Sequence, residues 1–475
     1  MSTDDLCFLT IAEAAQRMRA RDLSPVELTQ AHLDRIRTLD GRLNSYITVL
    51  GDRAIQQAKS AERAFSQGGQ GSRGDATSPL QGIPIALKDL VYTEGIRTTA
   101  GSKVLADFVP EYDATVTKRL EAAGTVLLGK LNMSEFAMGG TFTNVHYGTT
   151  RNPWDTERFA GGSSSGSGAA VAAGLALGAL GTDTGGSIRG PAHNCGIVGL
   201  KPTFGRVSRH GVVPLSWSLD HVGPMTRTVE DCALILQVIA GHDSKDTHSS
   251  DTPVADYTAH LRDGVRGLRI GVDRNFFFDE LQPDVAKAIE AALVVLTELG
   301  ATIREVDLSC SGKARAMYVA IAYPEATAYH LDWMQTRIDD YGPNCRSRLE
   351  QGLAIPATDH IQAQRERRLL LQDYLSILES VDVLVVPTSA RTAPRFDEEE
   401  TINSAAVTRQ YTSPMDLTGL PALVVPAGYG DNGMPVTFQV VGRHFDEATV
   451  LQAGYAYEQA TDWHQRHPQL EITTP

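Results

Sequence analysis

Apolar positions near the start of the chain recur at helical spacing. Ser24-Pro25 opens a helix well, with serine as cap and proline at the first helical position. Val26, Leu28, Leu33 and Ile36 then line one face of 25–38, and a second helix is expected at 51–66. The pattern changes at IPIALKDL (83–90), a short unbroken apolar run that reads as a buried strand ending in a lysine. DATVTKRLEAAG (113–124) is a helix with a glycine stop, and TVLLG (125–129) a buried strand. A helix ends near 241. LRIGV (268–272), a helix at 283–299 and ATIREV (301–306) form a strand–helix–strand unit. Long helices at 312–335 and 359–379 precede three more strands, VDVLVVPT (381–388), ALVVPAG (422–428) and VTFQVVG (436–442). This alternation implies an α/β fold with a mixed, mostly parallel central sheet flanked by helices on both faces. SQGGQGSRGDATSPL (66–80) reads as a surface loop. No repeat or linker divides the 475 residues, so one large domain is expected, with N-terminal helices at about 10–66 and a core at about 80–240.

Composition narrows the function classes. The net charge of −14 argues against nucleic acid or an anionic membrane as a partner, since both select clustered Lys and Arg. No run approaches the ~18 apolar residues of a membrane span. MSTDDLCFLT begins with two acids where a signal peptide needs basic residues. Cys7, Cys195, Cys232, Cys310 and Cys345 are scattered and form no CxxC, which suggests reduced thiols and a cytoplasmic protein.

The chemistry concentrates in FAGGSSSGSGAAVAAGLALGALGTDTGGSIRGPAHNCGIVGLK (159–201). Its two Gly/Ser clusters, 161–168 and 185–187, bracket a run of small residues. So many glycines imply unusual backbone geometry or close approach to a ligand. Bare N–H groups converging there suit an oxyanion. A serine nucleophile needs a base, and no histidine pattern supplies one. A buried lysine with a lowered pKa can substitute, and Lys88 ends a buried strand. Ser187 follows Gly185-Gly186, and Ser163 follows Gly161-Gly162, so one could attack while the other relays a proton to Lys88. The plainer alternative is a flexible connector, with Lys88 on the surface.

Other motifs fit poorly. GTVLLGK (124–130) misses the phosphate loop because Leu131 stands where a hydroxyl must be. GSSSG (162–166) matches a nucleophile elbow centred on Ser164, but TERFAG is a poor preceding strand. No HExxH or paired metal spacing occurs; His193 and His146 read as structural, and no metal or cofactor is expected.

GGSSSGSGAAVAAG followed by GTDTGGSIRGPAHNCGIVGLKPTFGRVS resembles the signature of the amidase signature family. IPIALKDL, GTVLLGKLNMSEFAMG, RNPWD, DHVGPMTRTVED and TGLPALVVPAG extend the resemblance over nearly the whole chain. It implies a Ser–cisSer–Lys triad: Ser187 as nucleophile, Ser163 after a cis peptide as proton shuttle, neutral Lys88 as base. It implies an oxyanion hole from the backbone N–H groups of Thr184, Gly185, Gly186 and Ser187, with Asp183 and Arg189 fixing the loop. Met138, Gly139 and Phe142 would meet the substrate, and Cys195 would be packing. The variable region at about 310–360 and residues 138–147 would wall the pocket, with Met317, Tyr318, Tyr323 and Trp333 as candidates for pocket or core.

The expected reaction is amide hydrolysis through an acyl-enzyme. Family members include stand-alone amidases and the A subunits of aminoacyl-tRNA amidotransferases. Gly190 stands where those subunits carry glutamine after SIR, and their YY-containing helix has no recognisable counterpart beyond 352. The favoured reading is therefore a stand-alone hydrolase of aryl or alkyl amides, with carbamates or esters as side substrates. It would act as a monomer or homodimer, without nucleic acid or membrane. The alternative is a glutamine-hydrolysing subunit of an amidotransferase complex.

Overall fold

Eleven strands form one sheet in the computed structural model, which describes residues 3–67, 78–138, 143–398 and 411–470. In chain order they are β1 (Tyr46–Val49), β2 (Pro84–Lys88), β3 (Val126–Leu131), β4 (Gly178–Asp183), β5 (Val198–Lys201), β6 (His221–Thr226), β7 (Arg269–Val272), β8 (Thr302–Glu305), β9 (Val383–Pro387), β10 (Ala422–Tyr429) and β11 (Pro435–Val441). Across the sheet the order is β1-β3-β2-β4-β6-β5-β10-β11-β9-β7-β8.

The sheet is mixed, as expected, but antiparallel contacts predominate. Six of its ten pairings are antiparallel, among them β4–β6, β5–β6, β10–β5 and β10–β11. The excess arises at the centre, where short returns join β5 to β6 and β10 to β11 without a crossover helix. Parallel pairing holds β2 between β3 and β4, and β7 between β8 and β9.

Alternate residues of a strand point to opposite faces, and the core follows that rule. Ile85 and Leu87 of β2 join one apolar cluster while Ala86 joins another. Leu423 and Val425 of β10 likewise oppose Val424. The helices Ile11–Ala20, Val229–Ile239, Pro283–Glu298 and Glu447–Gln459 supply the first cluster. Pro25–Leu43, Ser165–Ala172 and Arg189–Cys195 supply the second. A third cluster packs Ala314–Arg337, Ala357–Ser380 and Ser413–Thr418 against Leu384, Val386 and Ala422.

The capping signal at Ser24 is realised. Its hydroxyl accepts the Val26 and Glu27 N–H groups at 3.0 and 3.4 Å. GTVLLGK is strand, and Lys130 within it is fully buried. Most of the expected 66–80 loop lies outside the described residues. None of the five cysteines forms a disulfide, and no helix among the described residues is long and apolar enough to cross a membrane.

The central strands touch backbone to backbone where glycines face each other. Gly181 of β4 pairs with Gly223 of β6, and a Cβ on Gly223 would lie 2.0 Å from the Leu200 carbonyl oxygen of β5. Gly223→Ala should therefore force β5 and β6 apart. The expected cost is about 1–3 kcal/mol, read as a lower urea midpoint with an unchanged m-value.

Candidate active site

β2 delivers Lys88 to the middle of the molecule. Every residue of this strand is buried, and Lys88 has no exposed surface. Its Nζ lies 2.6 Å from Ser163 Oγ and 2.8 Å from Thr182 Oγ1, donating to both hydroxyls. Burial lowers its pKa to about 7, with the more distant Asp183 and Asp220 working the other way. An amine so placed is half neutral near physiological pH. That is the condition under which lysine becomes a base.

Ser163 follows a cis peptide bond from Gly162. Gly161 precedes it at φ +84°, and a Cβ there would meet the Pro191 backbone at 2.8 Å. Only glycine lets this loop lie against the helix Arg189–Cys195. The Ser163 carbonyl accepts the Ser134 N–H at 3.1 Å, and the Ser164 N–H donates to the Ser187 carbonyl at 3.2 Å. The structure thus joins Lys88 to Ser163 directly, and Ser187 to the same loop through its backbone. The half-buried Ser187 hydroxyl makes no hydrogen bond among the described residues. Ser164, the elbow serine, is fully buried and exchanges hydrogen bonds with the Thr182 backbone, which makes it a strut of β4.

The loop after β4 is braced from beneath. Asp183 accepts the N–H groups of Gly186, Ile188 and Arg189 at 2.5, 3.0 and 3.3 Å. Burial works against its charge, but Arg189 beside it holds the carboxyl well below the usual range. The Arg189 guanidinium also reaches Asp416 at 2.6 Å, the Thr412 carbonyl at 2.8 Å and Gln439 Oε1 at 2.9 Å. Asp416 goes the other way: burial and the neighbouring Asp183 charge push its carboxyl well up, against the pull of Arg189.

This bracing corrects one expectation. The Gly186 N–H, expected among the oxyanion donors, already donates to Asp183 Oδ1. The N–H groups of Thr184, Gly185 and Ser187 meet no acceptor among the described residues. Gly186 sits at φ +129°, with Thr412 Oγ1 only 2.2 Å from where a Cβ would be. The Thr412 hydroxyl donates to the Gly185 carbonyl at 2.7 Å. The Thr184 hydroxyl donates to the buried Asp220 at 2.6 Å.

A cavity of about 240 Å³ adjoins this loop, bounded by Thr182, Thr184, Ala137 and Leu90 inside and by Trp217 and Lys245 toward solvent. Its outer walls come from 209–222 and 245–247, segments the sequence reading passed over in favour of 310–360. Of the candidates in that region, Tyr318 does reach the site: its ring lies 2.7 Å from where a Gly185 Cβ would sit. Met317 and Tyr323 are core, and Trp333 packs beside Phe136. Met138 is buried, and its carbonyl accepts from Arg348 Nη1 at 3.3 Å. Gly139 and Phe142 lie outside the described residues.

His193 bridges Thr437 Oγ1 and the Arg391 carbonyl, both at 2.9 Å, and burial lowers its pKa to about 4. Cys195 is buried, with its thiol pushed up. Among the described residues no group of three potential ligands could hold a metal ion. Thr182, Thr412 and Asp416 were missed. Thr182 was findable, as it lies inside GTDTGGS; the other two approach from more than 220 residues away.

Comparisons with known proteins bear on the family of the chain. The family model described as Amidase matches residues 27–451. The A subunit of the glutamyl-tRNA(Gln) amidotransferase from Moorella thermoacetica is 43% identical, covering 98% of this chain and all of that protein. Its counterpart from Chloroflexus aggregans is 45% identical over 98% and 99%. Among solved structures, one reported as an unexpected vestigial protein complex, revealing the origins of an s-triazine catabolic enzyme, is 34% identical. It has a TM-score of 0.88 and covers 95% of this chain and 98% of its own. The peptide amidase of Stenotrophomonas maltophilia is 33% identical with a TM-score of 0.84, covering 97% and 98%.

These findings overturn the expectation of a monomer or homodimer without nucleic-acid partners. The relatives matched over full length are subunits named for a tRNA-dependent reaction, and a solved neighbour is a complex. Net charge does not decide the matter, because a chain of −14 can still be a subunit of a larger assembly. With its signature motifs, its mixed eleven-stranded sheet and its full-length relatives, the chain belongs to the amidase signature family.

Proposed function

We propose that this protein is the amide-hydrolysing subunit of an assembly, releasing ammonia from a primary carboxamide of the glutamine type. The contact between Lys88 Nζ and Ser163 Oγ at 2.6 Å carries the chemical part of this reading. The full-length identity to amidotransferase A subunits supports the choice of substrate. A cytoplasmic location belongs to the same reading, supported by five cysteines that form no disulfide.

Ser187 Oγ attacks the carboxamide carbon. Its proton passes to Ser163, while the Ser163 proton passes to the lone pair of neutral Lys88. The N–H groups of Gly185 and Ser187 receive the oxyanion. As the tetrahedral species collapses, the C–N bond breaks and the proton on Lys88 returns through Ser163 to the leaving nitrogen. The products are ammonia and an acyl ester on Ser187. Water then attacks the ester, losing its proton along the same relay, and the acid departs.

A second reading is a stand-alone amidase for alkyl, aryl or peptide amides, with carbamates and esters as side substrates. Gly190 favours it: where the amidotransferase subunit is expected to carry glutamine, a Cβ would meet only the Gly162 carbonyl, at 3.7 Å. The likeness to peptide amidase points the same way.

Assaying the isolated chain against glutamine, anilides, peptide amides and carbamates separates the two. The first reading expects glutamine turnover that rises when a partner chain is added. Fast anilide or peptide-amide hydrolysis with none on glutamine supports the second. Ser187→Ala should abolish labelling by a fluorophosphonate. Lys88→Ala should lower kcat at least ~10²-fold, measured at neutral pH, the scale of a lost general base. Because the base acts without its proton, kcat/KM should fall as pH drops through about 7 and level off above it. A flat profile between pH 6 and 8 would remove Lys88 from the role.

A further inference from the structure

The relay leaves unused a buried carboxylate beside it. Glu135 is nearly inaccessible and gathers three donors from three separate segments. Ser102 Oγ lies at 2.6 Å, His146 Nε2 at 3.0 Å and the Gly342 N–H at 2.8 Å. Gly342 caps the helix Pro343–Ala354, so one side chain binds the loop after β2, the segment after Met138 and the start of that helix. Burial pushes its carboxyl up, and the three donors oppose the rise.

Glu135 begins an unusual turn. Phe136 and Ala137 are successive non-glycine residues at φ 46° and 57°, a left-handed pair that surrounding contacts must hold. The Phe136 ring is fixed against His330 at 4.3 Å and Tyr341 at 5.8 Å. The turn touches the site at both ends. The Ser134 N–H donates to the Ser163 carbonyl at 3.1 Å, and Ala137 forms a wall of the cavity beside Thr182.

We infer that Glu135 is a positioning residue: its shared carboxylate clamps the 134–138 turn, and through the Ser134 N–H it keeps Ser163 in register with Lys88. The inference rests on the relay proposed above. A misplacement of about 1 Å in such a group can cost ~10²-fold in rate, so the clamp should be visible in kinetics.

The test is the rate of Ser187 labelling by a fluorophosphonate, resolved into saturating rate and half-saturation concentration, for the full chain. Glu135→Ala should lower the saturating rate about tenfold or more while half-saturation moves less than about threefold. Glu135→Gln keeps the shape and one acceptor, and should recover part of the loss at a melting temperature close to the parent's. If Glu135→Ala does not fold, Glu135→Gln and Ser102→Ala decide. Reduced rates in both, with melting unchanged, support the clamp. Parent-like rates in the folded variants, or a loss confined to half-saturation, overturn it. Parent protein that labels at a residue other than Ser187 overturns the relay and the clamp together. Normal Ser187 labelling with a Glu135→Ala variant of equal rate overturns the clamp alone.

Discussion

The burial of one ammonium group governs this site. Lys88 ends a strand with no exposed surface, and among the described residues its amine touches two hydroxyls and no carboxylate. In water its proton would stay until pH about 10; here desolvation brings the pKa to about 7. Everything near it serves that condition. Asp183 and Asp220 pull toward the charged form, but each is occupied elsewhere, Asp183 by Arg189 and Asp220 by Thr184 and its own loop. A carboxylate free to pair with Lys88 would restore the proton and silence the base.

Two neighbouring lysines show how narrow the distinction is. Lys130 of β3 and Lys201 of β5 are also fully buried, with pKa values lowered by burial to about 8 and about 7. Lys130 donates to the Val91 carbonyl and Thr98 Oγ1 and lies 3.9 Å from Asp89. Lys201 donates to the Pro202 carbonyl. Neither meets a serine hydroxyl. A depressed pKa therefore does not single out the proposed base; the adjoining serine loop does.

The sequence carried much of this and lost the rest for identifiable reasons. Strands built from β-branched residues were legible, such as β9 and β10. β4 was not, because GALGTD has little side chain and reads as loop, yet its glycines are what let β6 approach. β6 was hidden in HVGPMT, whose glycine and proline argue against a strand. Lys88, Ser163 and Ser187 stood out because reactive residue types sat in improbable local company. The orientation of the Gly186 N–H did not, since nothing in GTDTGGS says which amide turns inward to Asp183. The braces from Thr412 and Asp416 exist only after β10 has paired with β5 and brought the last quarter of the chain home.

That late pairing bears on how such a protein can be taken apart or rearranged. The residues proposed to react all precede position 190, which invites the idea of a catalytic N-terminal module with a dispensable remainder. Yet the Asp416 carboxyl against Arg189, the hydroxyl that pins the Gly185 carbonyl and the tyrosine ring that floors the loop all come from beyond 310. The site has no modularity along the chain. Duplication, fusion or trimming could alter its rim, but any ancestor that used this loop must already have possessed both halves.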